Sequence, residues 1–362
     1  MDRDSGLRID AVHATDEPLP SEVLGARVRD RMLAALPTTH EDPELARFYA
    51  HQRDYPNRGG KTLRGRTVVL SAAAHGAGDL GDAVTVAAAL ELFQAWVLVH
   101  DDIEDGSEER RGAPALHRLV GMPVALNVGD ALHVHMWRLL HTLLATAEAT
   151  PERTRTVRSV LDEFGAMVSN TAAGQHLDLS YVAAGRFDVS EEEYLRMVTL
   201  KTAWYTVASP LRLGALLAGE RPDPRLGAAG LDLGGAFQVR DDVLNLAASA
   251  DTPGYGKEAL GDLYEAKRTL ILAHLLANVS QDDRVDVTRR LSKPRAERSD
   301  EDVYRVLDLM RRHGSLEYAQ AVADRLTERG LRTLGEALDE APRPAWADAL
   351  MDELSRVADR TR

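Results

Sequence analysis

Apolar residues recur along this chain at intervals of three and four, and almost nowhere do they alternate with polar ones position by position. From Ser21 onward Val23, Leu24, Val28, Met32 and Leu33 keep that spacing, which lines one face of a helix. Pro37 and the polar residues through Glu44 interrupt it. Arg47 to Tyr55 resumes it, and a turn reading PNRGG follows. Leu63 to Ala77 is a further helix, closed by Gly76 and Gly78, and a long one is predicted from Asp82 to His100. Met122 to Ala147 continues the pattern. Thr150 before Pro151 reads as an N-cap with proline in the first turn, opening a helix to about Ala173. Ser190 with Glu193 has the spacing of a capping box and starts a helix toward Gly214. Gly230 to Leu246 is another. Residues 284–300, charged and proline-containing, read as a loop. Helices then follow at about 301–313, stopped by Gly314, and at about 316–338, and a last one ends near the basic tail Arg360-Thr361-Arg362. No fixed-period repeat stands out. The expected fold class is all-α: about a dozen helices in one large bundle-like domain over residues 21–362. The polar residues 1–20, ending in Pro18 and Pro20, read as a flexible leader.

Composition narrows this picture. The 362 residues are 44% hydrophobic but only 5% aromatic, so Leu, Ala and Val must build the core. There is no cysteine, which excludes disulfides and thiolate metal sites. A net charge of −13 argues against nucleic acid or an anionic membrane as partner. No apolar run approaches the ~20 residues needed to span a bilayer. The N-terminus lacks the apolar segment of a signal peptide, so a cytoplasmic location is the default expectation.

The candidate chemistry is carboxylate chemistry. The apolar run from Glu91 ends in ELFQAWVLVHDDIEDGSEERRG. Asp101, Asp102 and Asp105 form a DDxxD pattern with Glu104 between them, and on a helix Asp101 and Asp105 stack one turn apart. Carboxylates entering a core are costly unless a cation neutralises them. Oxygen donors without Cys or His partners suit Mg²⁺, which takes one or two carboxylates plus substrate phosphates. A second apolar run, GGAFQVRDDVLNL, ends in Asp241 and Asp242, with Asn245 after them. One acidic pair after a hydrophobic run reads as a solvated helix end. Two of them, on helices that face one another, make a carboxylate-lined cavity for metal and diphosphate.

Cationic and polar residues accompany these motifs. Gly59-Gly60-Lys61-Thr62-Leu63-Arg64 leads into a helix, where free backbone, a helix N-terminus and two cations would hold a phosphate. Arg110 and Arg111 follow the first acidic motif, as charge compensation or as diphosphate ligands. Lys201, in an apolar helix, needs an anionic partner. Gly256-Lys257 and Lys267-Arg268 flank a short acidic loop. Gln175 and Asp178 share a helix face, and Gln94 lies close to the face of Asp101. His100 and His176, single histidines without partners at ligand spacing, read as neutral polar residues.

In this order the motifs GGKTLR, DDIED with RRG, GQHLDL, KTAWY, FQVRDDVLN and GKEALGDLYEAKRT resemble the trans-isoprenyl diphosphate synthase (polyprenyl synthetase) family, short-chain type, over roughly residues 55 to 270. The resemblance implies the isoprenoid synthase fold, a helical bundle with a central cavity between the helices that bear the acidic motifs. It implies head-to-tail condensation of isopentenyl diphosphate with an allylic diphosphate, with three Mg²⁺ ions and a homodimer. Asp101, Asp105 and Asp241 match the principal metal ligands, with Asp102 less direct and Asp242 in support. Arg110, Lys201, Lys257 and Lys267 match the allylic diphosphate site; Lys61, Arg64, Gln94 and Arg111 match the isopentenyl diphosphate pocket. Thr202 and Gln238 match polar groups near the allylic cation. Trp96 and Val97 match the floor that limits chain length. A bulky residue at the first position and a small one at the second imply geranylgeranyl diphosphate as product, with farnesyl diphosphate next. The chain departs from the family pattern at Asn245, Thr62, Gly65 and Glu104. The competing reading is a class I terpene cyclase on the same scaffold. Its second motif needs a Glu where this chain has Pro253, and it has no use for Lys61 and Arg64.

Overall fold

The computed structural model describes residues 13–247 and 258–358. Of the stretch read as a leader, residues 13–20 are tied to the fold: Ala14 N donates to Gly78 O at 3.0 Å, and Trp346 Nε1 donates to Thr15 O at 2.8 Å.

Helices α1 (Ser21–Ala34), α2 (Pro43–Gln52) and the short α3 (Asp54–Asn57) lead to α4 (Leu63–Ala74). Helix α5 (Gly81–Asp105) runs through the first acidic motif and not merely up to it. Its residues Ala83 to Phe93 are all buried, as expected for a helix apolar on every side. By length and mean hydropathy (1.6) α5 could cross a membrane, but 72% of that window is buried within the fold. This corrects the expectation that no such run exists: the scattered polar residues Gln94 and Glu91 interrupt the sequence without lowering the average enough. A two-residue hairpin, β1 (Glu109–Arg110) and β2 (Ala113–Pro114), follows, turning through Arg111 and Gly112 in the left-handed region. Next come α6 (Leu116–Val120) and α7 (Met122–His141), which passes into a 3₁₀ stretch over Thr142–Ala149.

Thr150 caps α8 (Pro151–Ala183) as expected, but α8 continues well past Ala173. Ser190 and Glu193 form the capping box of α9 (Glu191–Val198). That helix does not proceed regularly to Gly214. It widens into π-helical turns over Thr199–Ala208 before α10 (Ser209–Leu217). Helices α11 (Pro224–Ala247), α12 (Gly261–Tyr264) and α13 (Leu270–Asn278) follow. The predicted loop over 284–300 is half wrong, because α14 (Gln281–Leu291) occupies its start. Ser280 caps it, and only Val287 and Leu291 are buried, so its apolar stripe is too narrow to read from sequence. Helices α15 (Asp300–Arg312), α16 (Ser315–Leu338) and α17 (Pro344–Ala358) complete the all-α bundle.

Three glycines set the spacing around the π-helical segment. A Cβ at Gly174 of α8 would overlap the backbone of Lys201, one at Gly230 of α11 that of Ala208, and one at Gly234 that of Ala203. Backbones therefore approach more closely here than any side chain would allow. The segment that carries Lys201 and Thr202 is clamped between α8 and α11.

Candidate active site

A cavity of about 920 Å³ opens between α5, α8, the π-helical segment and α11. Asp101 and Asp241, the leading residues of the two DD pairs, both line it, together with Lys201, Lys267 and Arg110. The second residue of each pair does not. Asp102 is fully buried; Arg110 donates to it through Nε at 3.0 Å and through Nη2, and the Tyr55 hydroxyl donates to its other oxygen. Asp242 is likewise buried, and accepts from the Tyr194 hydroxyl at 2.6 Å and Gln238 Nε2 at 2.8 Å. Each pair thus divides into a carboxylate facing the cavity and one fixed by a tyrosine from another helix. This places Asp102, predicted within the catalytic set, behind the cavity wall. Neither tyrosine was singled out from sequence, because nothing near Tyr55 or Tyr194 in the chain hints at an acidic partner.

Cations already balance the acidic wall. Lys201 Nζ lies 2.6 Å from Asp178 and 3.2 Å from Asp101, and Gln175 Nε2 donates to Asp101 at 3.2 Å and to Glu104 at 2.6 Å. Asp178 is thereby identified as the anionic partner that Lys201 needs. Lys267 Nζ sits 2.8 Å from Asp105 and 3.0 Å from Glu265. Burial pushes the Asp101 pKa up, yet Lys201, Lys267 and Arg110 outweigh it and hold that carboxyl below its ordinary range. Asp105, one turn on, goes the other way. Burial raises it to about 7 against the pull of Lys267, and the charge on Asp101 adds to the rise. Burial likewise lifts Asp242 to about 6 despite its two hydrogen bonds. Lys201 is held above the ordinary lysine value because Asp101 and Asp178 overcome its desolvation.

Thr202 Oγ1 donates to Gln238 Oε1 at 3.0 Å, so Thr202, Gln238, Asp242 and Tyr194 form one chain of hydrogen bonds from the cavity wall inward. Asn245 is buried against the start of α12. Its Oδ1 accepts from Asp262 N at 3.1 Å and its Nδ2 donates to Glu258 O at 3.3 Å. An aspartate could accept the first bond but not donate the second, so this departure from the family pattern ties the loop before α12 to α11.

A second group, Lys61, Arg64, Gln94 and Arg111, lines the same cavity. Lys61 is exposed, while Arg64 is buried. Its Nη2 donates to Thr206 Oγ1 at 3.0 Å and its guanidinium lies 4.5 Å over the Tyr205 ring. The Gln94 amide, oriented by its neighbours, accepts from Arg64 Nη1 at 2.9 Å and donates to Glu91 Oε2 at 3.2 Å. At the N-terminus of α4, Gly65 N is already engaged and donates to the buried Glu91 at 3.0 Å. Arg111 Nη1 reaches Tyr55 O at 3.1 Å. Lys257 lies outside the described residues.

Among the described residues four non-glycine positions have positive φ: Thr62, Arg111, Leu260 and Ala266. All four sit in the loops that deliver Lys61, Arg110, Arg111 and Lys267, where strain of about 1–3 kcal/mol each is tolerated only in a well-determined surround.

Trp96 and Val97 both line the cavity. An aromatic cluster stands beside them: the Phe93 ring meets Trp96, Phe164 and Tyr205 edge-on at centroid distances of 5.5–6.4 Å. The acidic wall offers oxygen donors only, the chemistry of a hard divalent cation. No three Asp, Glu or His side chains among the described residues converge into a metal cage. An ion between Asp101, Asp105 and Asp241 would therefore need oxygens from a bound ligand as well.

Comparison with known proteins agrees with this geometry. The family description polyprenyl synthetase matches residues 46–310. The chain is 33% identical over 305 residues to a short chain isoprenyl diphosphate synthase of Methanothermobacter thermautotrophicus, covering 84% of this chain and 86% of that one. It is 32% identical to a geranylfarnesyl diphosphate synthase of Natronomonas pharaonis, covering 87% and 90%. Its fold superposes with a TM-score of 0.82 on a geranylgeranyl pyrophosphate synthase of Corynebacterium glutamicum, solved with isoprenyl diphosphate and magnesium, at 28% identity over 94% of this chain and 100% of that one. With the acidic and basic walls placed around one cavity and these relatives covering nearly its whole length, the chain belongs to the polyprenyl synthetase family and is a prenyltransferase.

Proposed function

We propose that this protein joins isopentenyl diphosphate to an allylic diphosphate head to tail, giving a short-chain all-trans prenyl diphosphate. The observation that carries the proposal is the pairing of two separate basic sites, one beside the acidic wall and one at Lys61, Arg64 and Arg111, on a single cavity with an apolar end. A cyclase, which takes one diphosphate, has no need of the second.

Asp101, Asp105 and Asp241 are assigned to hold Mg²⁺, with three ions expected when diphosphate is bound. When bound, the metal supplies Lewis-acid neutralisation of the departing diphosphate. Lys201, Lys267, Arg110 and Lys257 are assigned to the same diphosphate, and their charges favour the negative charge that develops as the C–O bond breaks. The bonding pair leaves with the diphosphate oxygen, and C1 of the allylic chain becomes a carbocation. Thr202 Oγ1 and Gln238 Oε1 are assigned to stabilise it by their dipoles, while the apolar wall excludes water. Lys61, Arg64 and Arg111 hold isopentenyl diphosphate, Arg64 being aimed by Gln94. The isopentenyl double bond supplies the electron pair for the new C–C bond. The C2 proton then leaves to a diphosphate oxygen, so no further protein base is required.

Trp96, a bulky side chain lining the cavity, supports a geranylgeranyl product, with farnesyl diphosphate the next shorter outcome. Incubation with Mg²⁺, isopentenyl diphosphate and each short allylic diphosphate should give chain-extended products. Cyclised hydrocarbon from the allylic diphosphate alone, with no extension, would overturn the assignment in favour of a cyclase.

A homodimer is proposed on the exposed apolar side chains of α6 and α7, among them Leu119 (55% exposed), Met122 (58%) and Val134 (54%). Such a surface suits a second copy of the chain. Sedimentation should give twice the mass of the chain; a monomer at micromolar concentration sinks that assembly.

A further inference from the structure

We infer that chain length in this protein is limited by a pair of stacked rings, and that His133 of α7, the ring behind Trp96, is a specificity-determining residue. The inference rests on the chain-elongation reading above.

Trp96 lines the cavity, whereas His133 does not. The two rings lie face to face, with centroids 4.1 Å apart and planes inclined by 18°. Trp96 has no polar tether: its Nε1 is buried and hydrogen-bonds to no described residue. Ring packing alone therefore fixes the indole, with Phe93 and His100 edge-on at 5.6 and 5.9 Å and His133 against its face. His133 itself is tethered. Trp137 Nε1 donates to His133 Nε2 at 2.8 Å, which makes that nitrogen the acceptor and leaves the proton on Nδ1. Burial lowers the His133 pKa, so a neutral ring meets the indole at neutral pH.

Close approach of the two helices makes this possible. A Cβ at Gly129, one helical turn before His133 on α7, would overlap the His100 ring of α5. His133 is only half-buried, and its neighbour Val134 is 54% exposed on the outer side of α7. The Trp96–His133 pair thus stands between the cavity end and the exterior of α7.

An indole without a hydrogen bond can turn aside if the space behind it is empty. With His133 in place that movement is blocked, because the imidazole is itself pinned from Trp137. Trp96 is the surface a growing prenyl chain meets, and His133 is the positioning residue that makes Trp96 rigid. It also forms a second barrier if Trp96 is removed.

The test is product analysis of the full-length protein with Mg²⁺, isopentenyl diphosphate and a short allylic diphosphate, with rates of isopentenyl diphosphate consumption measured alongside. His133→Ala should raise the ratio of longer to wild-type-length product by roughly tenfold or more, the scale on which one steric contact in an apolar pocket discriminates. Trp96→Ala should also lengthen the product, and the double variant should exceed either alone. His133→Phe, which keeps a ring but loses the tether from Trp137, should give a ratio between those of the wild type and His133→Ala. A merely structural role for His133 would lower the rate for all lengths together and leave their ratio unchanged. Should His133→Ala fail to fold, Trp137→Phe removes the tether alone and should shift the ratio in the same direction. Wild-type lengths from whichever of these two variants folds, while Trp96→Ala lengthens the product, overturn the stacked pair. A wild-type protein that elongates nothing overturns the activity reading, and this inference with it.

Discussion

Replacing Asp101 by Asn should reduce kcat for chain elongation by at least about 100- to 1000-fold, the loss typical when one preorganised electrostatic partner of a developing charge is removed. Asp101 is held in its charged form, since Lys201, Lys267 and Arg110 together outweigh its burial. The amide is nearly the same shape but lacks the charge a divalent cation needs. Lys201 retains Asp178 at 2.6 Å, so the fold around it keeps a buried ion pair. The deficit should therefore appear in kcat and in metal dependence and not in folding. A variant with wild-type kcat at saturating Mg²⁺ would remove Asp101 from the metal site.

One position further on, the expected result is reversed. Asp102→Ala should cost about 3–5 kcal/mol of stability, the usual penalty for leaving one member of a buried ion pair without its partner. Arg110 is only 8% exposed and Asp102 not at all. Burial opposes the Arg110 charge, and the Asp102 carboxylate more than compensates for it. Without that carboxylate the guanidinium keeps only Asp101, at 3.6 Å, and the Tyr55 hydroxyl loses its acceptor. Since domains are stable by only about 5–15 kcal/mol, this is a large fraction of the total. Urea denaturation of the two variants side by side checks it. A midpoint for Asp102→Ala equal to that of Asp101→Asn would show that both aspartates face the cavity equally.

The contrast between these neighbours marks the limit of what the pattern DDxxD conveys. Helical spacing puts Asp101 and Asp105 one turn apart, and it could not say which way Asp102 turns. That depends on Tyr55 and Arg110, one of them 47 positions away in the chain. The same holds for Asp242 and Tyr194. Asn245 illustrates a different limit. In sequence it is only a departure from the family pattern; in the fold it is a loop anchor, because an amide both donates and accepts.

The order of apolar runs and breaks by itself determined the all-α class, most helix positions and the two acidic walls, because a helix records its buried face at fixed intervals along the chain. The basic motifs were also legible, being contiguous. The tertiary structure alone decided which carboxylate of each pair faces the cavity, which cation offsets which acid, and what stands behind Trp96. Those are contacts between segments far apart in sequence, and they follow from how closely glycine-lined helices approach one another. No local period carries that distance.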